Sequence, residues 1–275
     1  MALVVNTNTF SMTAQKNLSV HSDKLAGSFA KLSSGLRIVS AADDAAGLGI
    51  SERMRAEIRS LGMAQRNAQD GVSLVQTAEG ALSEVSGNLI RMRELAVEAA
   101  NGTLNTADRT SLDQEFQALD AEIDRVASET EFNGIALLDG TNATIDIQVG
   151  TSSGKTISIN TVDMQGGAGG LAISTLDVTT AANASAALAD LDSAIDSVVA
   201  QRGDFGASQN RLSSAMRSIA TAKENLSGAE SRIRDVDVAS ETAELTKNRI
   251  LQQAAASVLG QANTQPQLAM SLLQG

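Results

Sequence analysis

The chain has 275 residues, with no cysteine, one proline, five phenylalanines and neither tryptophan nor tyrosine. A net charge of -11 and a pI of about 4.6 repel phosphate backbones and anionic headgroups, so neither nucleic acid nor a membrane surface is an expected partner. The missing cysteine excludes disulfides, thiolate metal sites and a cysteine nucleophile, and so few aromatic side chains argue against an ordinary globular core.

Residues 7 to 33 predict a helix. Leu18, Leu25 and Leu32 recur every seven residues, with Ala14 and Phe29 between them. One face of such a helix must be covered by another helix. The run SSGLRIVSAADDAAG reads as an extended connector, with Ser40 or Asp43 capping the next helix. From there one heptad row continues through Met54, Leu61, Ala68, Val75, Leu82, Leu89 and Ala96. Ala78, Val85, Met92 and Ala99 form a second row beside it. Sustained heptads predict coiled-coil packing, and residues 54 to 96 would span roughly 65 Å as a helix.

Asn101-Gly102 predicts the break in this rod. Thr106 then caps a shorter helix carrying Leu112, Phe116, Leu119, Ile123 and Val126, which Glu131-Phe132-Asn133-Gly134 ends. Residues 135 to 180 change character. TIDIQVG and KTISIN alternate polar and apolar, which predicts a β-hairpin, and GGAGG at 166–170 reads as loop. The Ser/Thr cluster at 151–156 on this hairpin is an exposed candidate for glycan attachment.

A second rod follows, with Leu191, Val198, Phe205, Leu212, Ile219, Leu226 and Ile233 one heptad apart. Residues 191 to 233 would span roughly 63 Å, which matches the first rod and fits antiparallel packing. Gly203 and Gly206 each cost about 1 kcal/mol relative to alanine there, and mark either a close helix approach or a local break. A second connector, 231–240, leads to a last helix with Leu251, Ala255, Val258, Ala262, Ala269 and Leu272 at spacings of three, four or seven. The expected fold class is mainly α: long antiparallel coiled-coil-like helical rods with one small β-hairpin region. The expected segments are 1–42, an N-terminal helix and connector; 43–180, the first rod, short helix and hairpin; 181–235, the return rod; and 236–275, a connector and helix pairing with 1–42.

No constellation for catalysis stands out. A histidine-based triad or general base must use His21, the only histidine, and its place beside the leucine stripe predicts a packing or surface role. A zinc-protease helix needs two histidines. The glycines at 167, 169 and 170 lack the strand–turn–helix setting of a dinucleotide fingerprint. Asp43-Asp44 reads as a helix start, and Asp139-Gly-Thr-Asn lacks calcium-loop spacing. No enzyme activity and no cofactor or metal is expected. MALVVNTNTFSM has neither a basic n-region nor an apolar h-region, so a cleaved signal peptide is not expected.

Several motifs carry a specific resemblance. Leu32-Ser-Ser-Gly-Leu-Arg-Ile with Ser40-Ala-Ala-Asp-Asp-Ala-Ala-Gly-Leu, Arg93-Glu-Leu-Ala-Val97, Phe132-Asn-Gly134, Ser231-Arg-Ile, Ile250-Leu-Gln-Gln-Ala-Ala255 and Leu259-Gly-Gln-Ala-Asn263 resemble, in the same order, the signatures of bacterial flagellins. So does Val5-Asn6-Thr7-Asn8. The resemblance covers about 1–135 and 185–275. It implies a secreted, extracellular filament subunit for swimming motility, in a short form lacking the variable outer domains. It further implies an open helical homopolymer built through Leu18, Leu25, Leu32, Leu251, Ala255, Val258, Ala262 and Leu272. Rod packing would run through Leu61, Val75, Leu82, Leu89, Val198, Phe205, Leu212, Ile219 and Leu226. The implied partners are a flagellar export chaperone on the C-terminal segment, filament cap and hook-junction proteins, and an animal Toll-like receptor touching Arg91, Leu95 and Glu115. Inter-subunit packing is the competing role for those three residues. A hook–filament junction protein of the same axial family is the alternative identity. Ile90, Val39 and Arg234 depart from the usual glutamine, asparagine and glutamate.

Overall fold

The computed structural model describes residues 7–274, with side-chain surroundings given through 264. Among the described residues five helices dominate: α1 Thr9–Ser34, α2 Ala45–Ala99, α3 Thr106–Glu129, α4 Ala181–Arg234 and α5 Val238–Gln274. They separate into two compact units, one of residues 1–56 with 225–275 and one of residues 57–224. The division falls inside α2 and α4.

Helix starts follow local capping chemistry. Asn8 accepts from Ser11 N at 3.0 Å, and Asp237 accepts from Ala239 N and Ser240 N. The cap of α2 is Asp44, whose Oδ1 accepts from Gly47 N at 2.8 Å, rather than Ser40 or Asp43. Asp43 instead folds the connector, its Oδ2 accepting from the Val39 and Ser40 amides and the Ser40 hydroxyl. These bonds hold its carboxyl below the usual range, the Ser40 amide most of all. Asn105 rather than Thr106 caps α3, in a reciprocal box with Asp108.

In the unit 57–224, α2 and α4 run antiparallel. As the α2 partner falls from Arg93 to Glu79 to Gly71, its α4 partner rises from Asp192 to Arg202 to Leu212. Ala68, Val75, Leu82, Leu89 and Ala96 of α2 are buried with Leu191, Val198, Phe205 and Leu212 of α4, and Phe116 and Ile123 of α3 join the same core. Full burial is worth roughly 1.5–3 kcal/mol per large aliphatic side chain, so this shared stripe is the main source of stability. Leu61 and Ile219 are buried as well, while Leu226 is half-buried. Helix α4 is continuous through Gly203 and Gly206, and a Cβ at either would meet open space. Neither glycine marks a break or a close approach.

Among the described residues two hairpins are present rather than one. Strands β1 Glu131–Phe132 and β2 Ile135–Ala136 pair across Asn133 (φ 52°) and Gly134 (φ 76°). The positive φ at both central residues is the preference of an Asn-Gly turn. Glu131-Phe132-Asn133-Gly134 is therefore a hairpin as well as a helix stop. Strands β3 Thr144–Gln148 and β4 Thr156–Asn160 pair in register from Thr144↔Asn160 to Gln148↔Thr156. Ile157 and Ile159 point into the core, and Asn67 and Gln201 tie the strand ends to α2 and α4 through the Gln148 and Asn160 carbonyls. Gly71 lets this hairpin sit close, because a Cβ there would lie 3.1 Å from Ile147 and 3.2 Å from Leu212.

The glycine-rich loop after β4 folds onto α3. Gly166 N donates to Asp124 Oδ1 at 2.7 Å, while neighbouring Asp120 is buried with its Oδ1 unpartnered. Burial pushes the Asp120 carboxyl up, and the Asp124 charge adds to this. A raised folded pKa means that the burden on stability is present at neutral pH and is relieved as pH falls through the folded value. Asp120→Asn should therefore raise the unfolding temperature at pH 7, with the advantage gone near pH 4, about the ordinary aspartate pKa. Thermal melts across this range check it.

Candidate assembly interface

The ends of the chain meet in one unit through backbone as well as side chains. Gly35 closes α1 in the left-handed conformation at φ 72°, its N–H donating to Lys31 O. Beyond it the connectors form a minimal antiparallel ladder. Leu36 bridges Asp235, Arg37 N donates to Arg234 O at 2.6 Å, and Val236 N donates to Gly35 O at 3.0 Å. Arg37 Nη2 adds a bond to Ile233 O at 2.6 Å. Arg234, the last residue of α4, keeps its side chain 11 % exposed and donates to Glu52 Oε1 at 2.5 Å. Arg55 holds the same carboxylate at 3.0 Å. The Glu52 carboxyl is accordingly held below its usual range, chiefly by Arg234.

Helices α1 and α5 pack antiparallel, the start of α1 lying at Ala262 and its end beside the start of α5. Asn8 Nδ2 donates to Ala262 O at 2.7 Å and Ser11 Oγ to Asn263 Oδ1 at 2.8 Å. The expected stripe divides between two surfaces. Leu18, Leu25, Leu32 and Ala255 are half-buried, Ala14 and Ala262 buried. Leu251 and Val258, in contrast, face outward at 36 % and 59 % exposure. Ile250 and Val238 on α5 and Phe10, Met12, Val20 and Phe29 on α1 are exposed too, Phe29 at 67 %. The side chains of Ala269 and Leu272 lie outside the described residues, as do Val5 and Asn6. Large apolar side chains exposed along both helices mark a surface built for further contacts.

On α2, Arg91 binds Glu115 of α3 at 2.8 Å and Glu94 at 3.1 Å, and both bonds raise its pKa, Glu115 foremost. Leu95 does not stand with them on the surface. It is 1 % exposed, because the α2 stripe turns it into the core, while Ile90 and Val97 face outward. Among the described residues no group of three or more His, Cys, Asp or Glu side chains could hold a metal ion, and no helix is long and apolar enough to cross a membrane.

The family model for the bacterial flagellin N-terminal helical region matches residues 5–143, and that for the C-terminal helical region matches 188–273. The chain belongs to the bacterial flagellin family. Similar relatives include a flagellin of Halalkalibacterium halodurans, 46 % identical over 99 % of this chain and 100 % of the relative. A flagellar filament core protein of Treponema maltophilum is 42 % identical over 98 % of this chain and 100 % of its own length. The crystal structure of Bacillus cereus flagellin, 39 % identical, superposes with a TM-score of 0.51, covering 56 % of this chain and 88 % of that one.

The outward Ile90 is the position where flagellins were expected to carry glutamine. Arg234, where glutamate was expected, has its own complement in Glu52, a pairing that sequence reasoning did not find. Residues 52 and 234 lie far apart in the chain, and only the connector ladder brings them together. The depressed folded pKa of Glu52 means that the contribution of the pair is present above the ordinary glutamate value of about 4.3 and is lost as pH falls below it. Glu52→Gln should therefore lower connector protection at pH 7, with the difference from the parent shrinking as pH falls below about 4.3. Amide exchange at Arg37 and Val236 is the measurement.

Proposed function

We infer that this flagellin is the structural subunit of a bacterial flagellar filament, a load-bearing polymer and not a catalyst. The observation that carries this reading is the pair of chain ends, which close on each other along one seam yet leave apolar rows outward on both helices. Neighbouring copies supply the missing cover. Head-to-tail contacts that do not close generate an open helical filament. The match of both flagellin models and of full-length relatives supports a filament subunit over a hook–filament junction protein.

In this reading 1–42 and 236–275 form the inner layer of the polymer, and 43–235 its outer rods. The terminal helices order on docking, because a single stripe offsets its own ordering entropy poorly. The subunit acts outside the cell and is exported without a cleaved signal peptide. An export chaperone covers the C-terminal segment beforehand, and cap and hook-junction proteins bound the filament at its ends. Phe29→Asp and Val258→Asp place a charge where a neighbour docks, while both positions are exposed in the subunit. Each should leave the thermal unfolding of the rods unchanged and abolish seeded growth, read by sedimentation and electron microscopy. Filaments of normal length from both variants would sink the reading.

Arg91 with Glu115 is the exposed pair through which a Toll-like receptor would touch the subunit, Leu95 supporting it from beneath. A receptor reporter assay should lose signal with Arg91→Ala. Undiminished signalling from Arg91→Ala and Glu115→Ala would assign the pair to subunit packing instead.

A further inference from the structure

One polar row of α3 carries the strap of chain, 163–178, that follows β4. Asp113, Gln117, Asp120 and Asp124 lie three or four residues apart, which keeps them on one side of the helix. Three of them grip the backbone of the strap. Asp113 Oδ1 accepts from Val178 N at 3.0 Å, Gln117 Nε2 donates to Leu176 O at 2.9 Å, and Asp124 Oδ1 accepts from Gly166 N at 2.7 Å. Asp120 sits within the same row, 8 % exposed, and its Oδ1 has no hydrogen-bond partner. Gly166 presses against it, since a Cβ there would fall 2.5 Å from Asp120 Oδ1. The strap therefore closes over a carboxyl group that it leaves unsatisfied, and burying a charge in that state is unfavourable. It also carries Met164, Leu171, Ile173 and Val178 into the rod core.

No cation compensates. The sequence has neither lysine nor arginine between Lys155 and Arg202. Lys155 itself is exposed at the turn of the β3–β4 hairpin. The charges on the strap are Asp163 and Asp177, which accept from amides of their own loop, Gln165 N and Thr179 N. On α3, Arg109 is bound to the Ala99 and Asn101 carbonyls, and Arg125 to Glu122 and Glu129. On α2, Arg91 is paired with Glu115 and Glu94, and Arg93 with Asp192 of α4. The other charges of α2 from 79 to 98 are glutamates, and α4 before Arg202 offers only Asp190, Asp192 and Asp196. Burial first, and then the like charge of Asp124 one turn away, favour the neutral form of Asp120.

We propose that Asp120 makes 163–178 a proton-sensitive latch, which is tightest when this carboxyl carries its proton and lifts from α3 as a unit when it is charged, while α2 and α4 stay paired. Local opening of this kind is cheapest where a segment is held by few contacts, and here one of them is adverse. In the lifted state the carboxyl is hydrated and titrates near the ordinary aspartate value of about 3.9. In the closed state it keeps its proton to higher pH. Opening is therefore constant below about 3.9, rises up to about tenfold per pH unit above it, and levels off once the closed form has lost its proton too.

Amide hydrogen exchange on the full-length soluble chain, corrected for the pH dependence of the intrinsic rate, tests this. Gly166, Ile173, Ser174 and Val178 report the strap, and Leu82 and Phe205 report the rods. In the parent, strap protection should fall as pH rises above about 4 while rod protection holds. Asp120→Asn should flatten the strap profile and leave it at least about tenfold better protected than the parent at pH 7. Asp120→Ser should be equally flat even if its protection is lower throughout, because the slope and not the level reads the proton. A flat parent profile, or a slope that persists in both variants, overturns the latch. So does a strap that loosens as pH falls, which would assign control to the acceptor carboxylates Asp113 and Asp124. Rods that lose protection in parallel with the strap would show global unfolding instead. Calcium added at constant ionic strength should change nothing; extra protection in the parent alone would make Asp120 a cation ligand and overturn the proposal.

Discussion

A helix with apolar side chains along one face holds its shape in water only when that face is covered. Every other feature of this chain follows from where the cover comes from. In the unit 57–224 it comes from within: α2, α3 and α4 enclose Leu82, Leu89, Phe116, Leu191 and Phe205, and a hairpin carrying Ile157 and Ile159 caps the remainder. With no tryptophan or tyrosine available, the core is long and thin instead of deep. Small residues such as Ala68, Ala78, Ala96 and Ala194 let the helices approach each other along its length.

At the chain ends the cover is incomplete. The α1–α5 seam buries Ala14, Ser28, Asn248 and Ala262, a smaller and more polar set than the rod core. Meanwhile Phe29, Val238, Ile250 and Val258 stay exposed. The same chain therefore contains one part whose apolar faces are largely enclosed and one that leaves large apolar side chains outward. The connector ladder, with Arg37 on the Ile233 carbonyl and Arg234 on Glu52, holds the two ends together where hydrophobic contact alone gives no direction.

Much of the fold is legible in the residues because heptad rows are long and unambiguous. Both rods, the short helix, the β3–β4 hairpin and the two terminal helices appear at their expected places, with the breaks at Asn101-Gly102 and in the connectors. The β1–β2 hairpin was also legible, since Asn133-Gly134 is the strongest short turn signal, but strands of two residues show no alternation to accompany it. Asp43-Asp44 reads as a helix start, but the cap expected at Ser40 or Asp43 is Asp44. Two adjacent aspartates offer the same side chain to the helix start, and only the path of the backbone decides which reaches Gly47.

Sequence by itself determined which segments are helical and which face of each is apolar, because these depend on spacing within a few turns. Tertiary structure alone decided which apolar residues cover one another and which are left outward. Leu95 and Ile90 both read as apolar positions on one rod, yet one is enclosed and the other exposed. Leu251 and Ala255 belong to one stripe, yet Ala255 is half-buried and Leu251 is exposed. Periodicity fixes the angle of a side chain about its own helix axis. It carries no information on which of two adjoining faces the neighbouring helix will take, and that is settled by contacts between residues far apart in the chain.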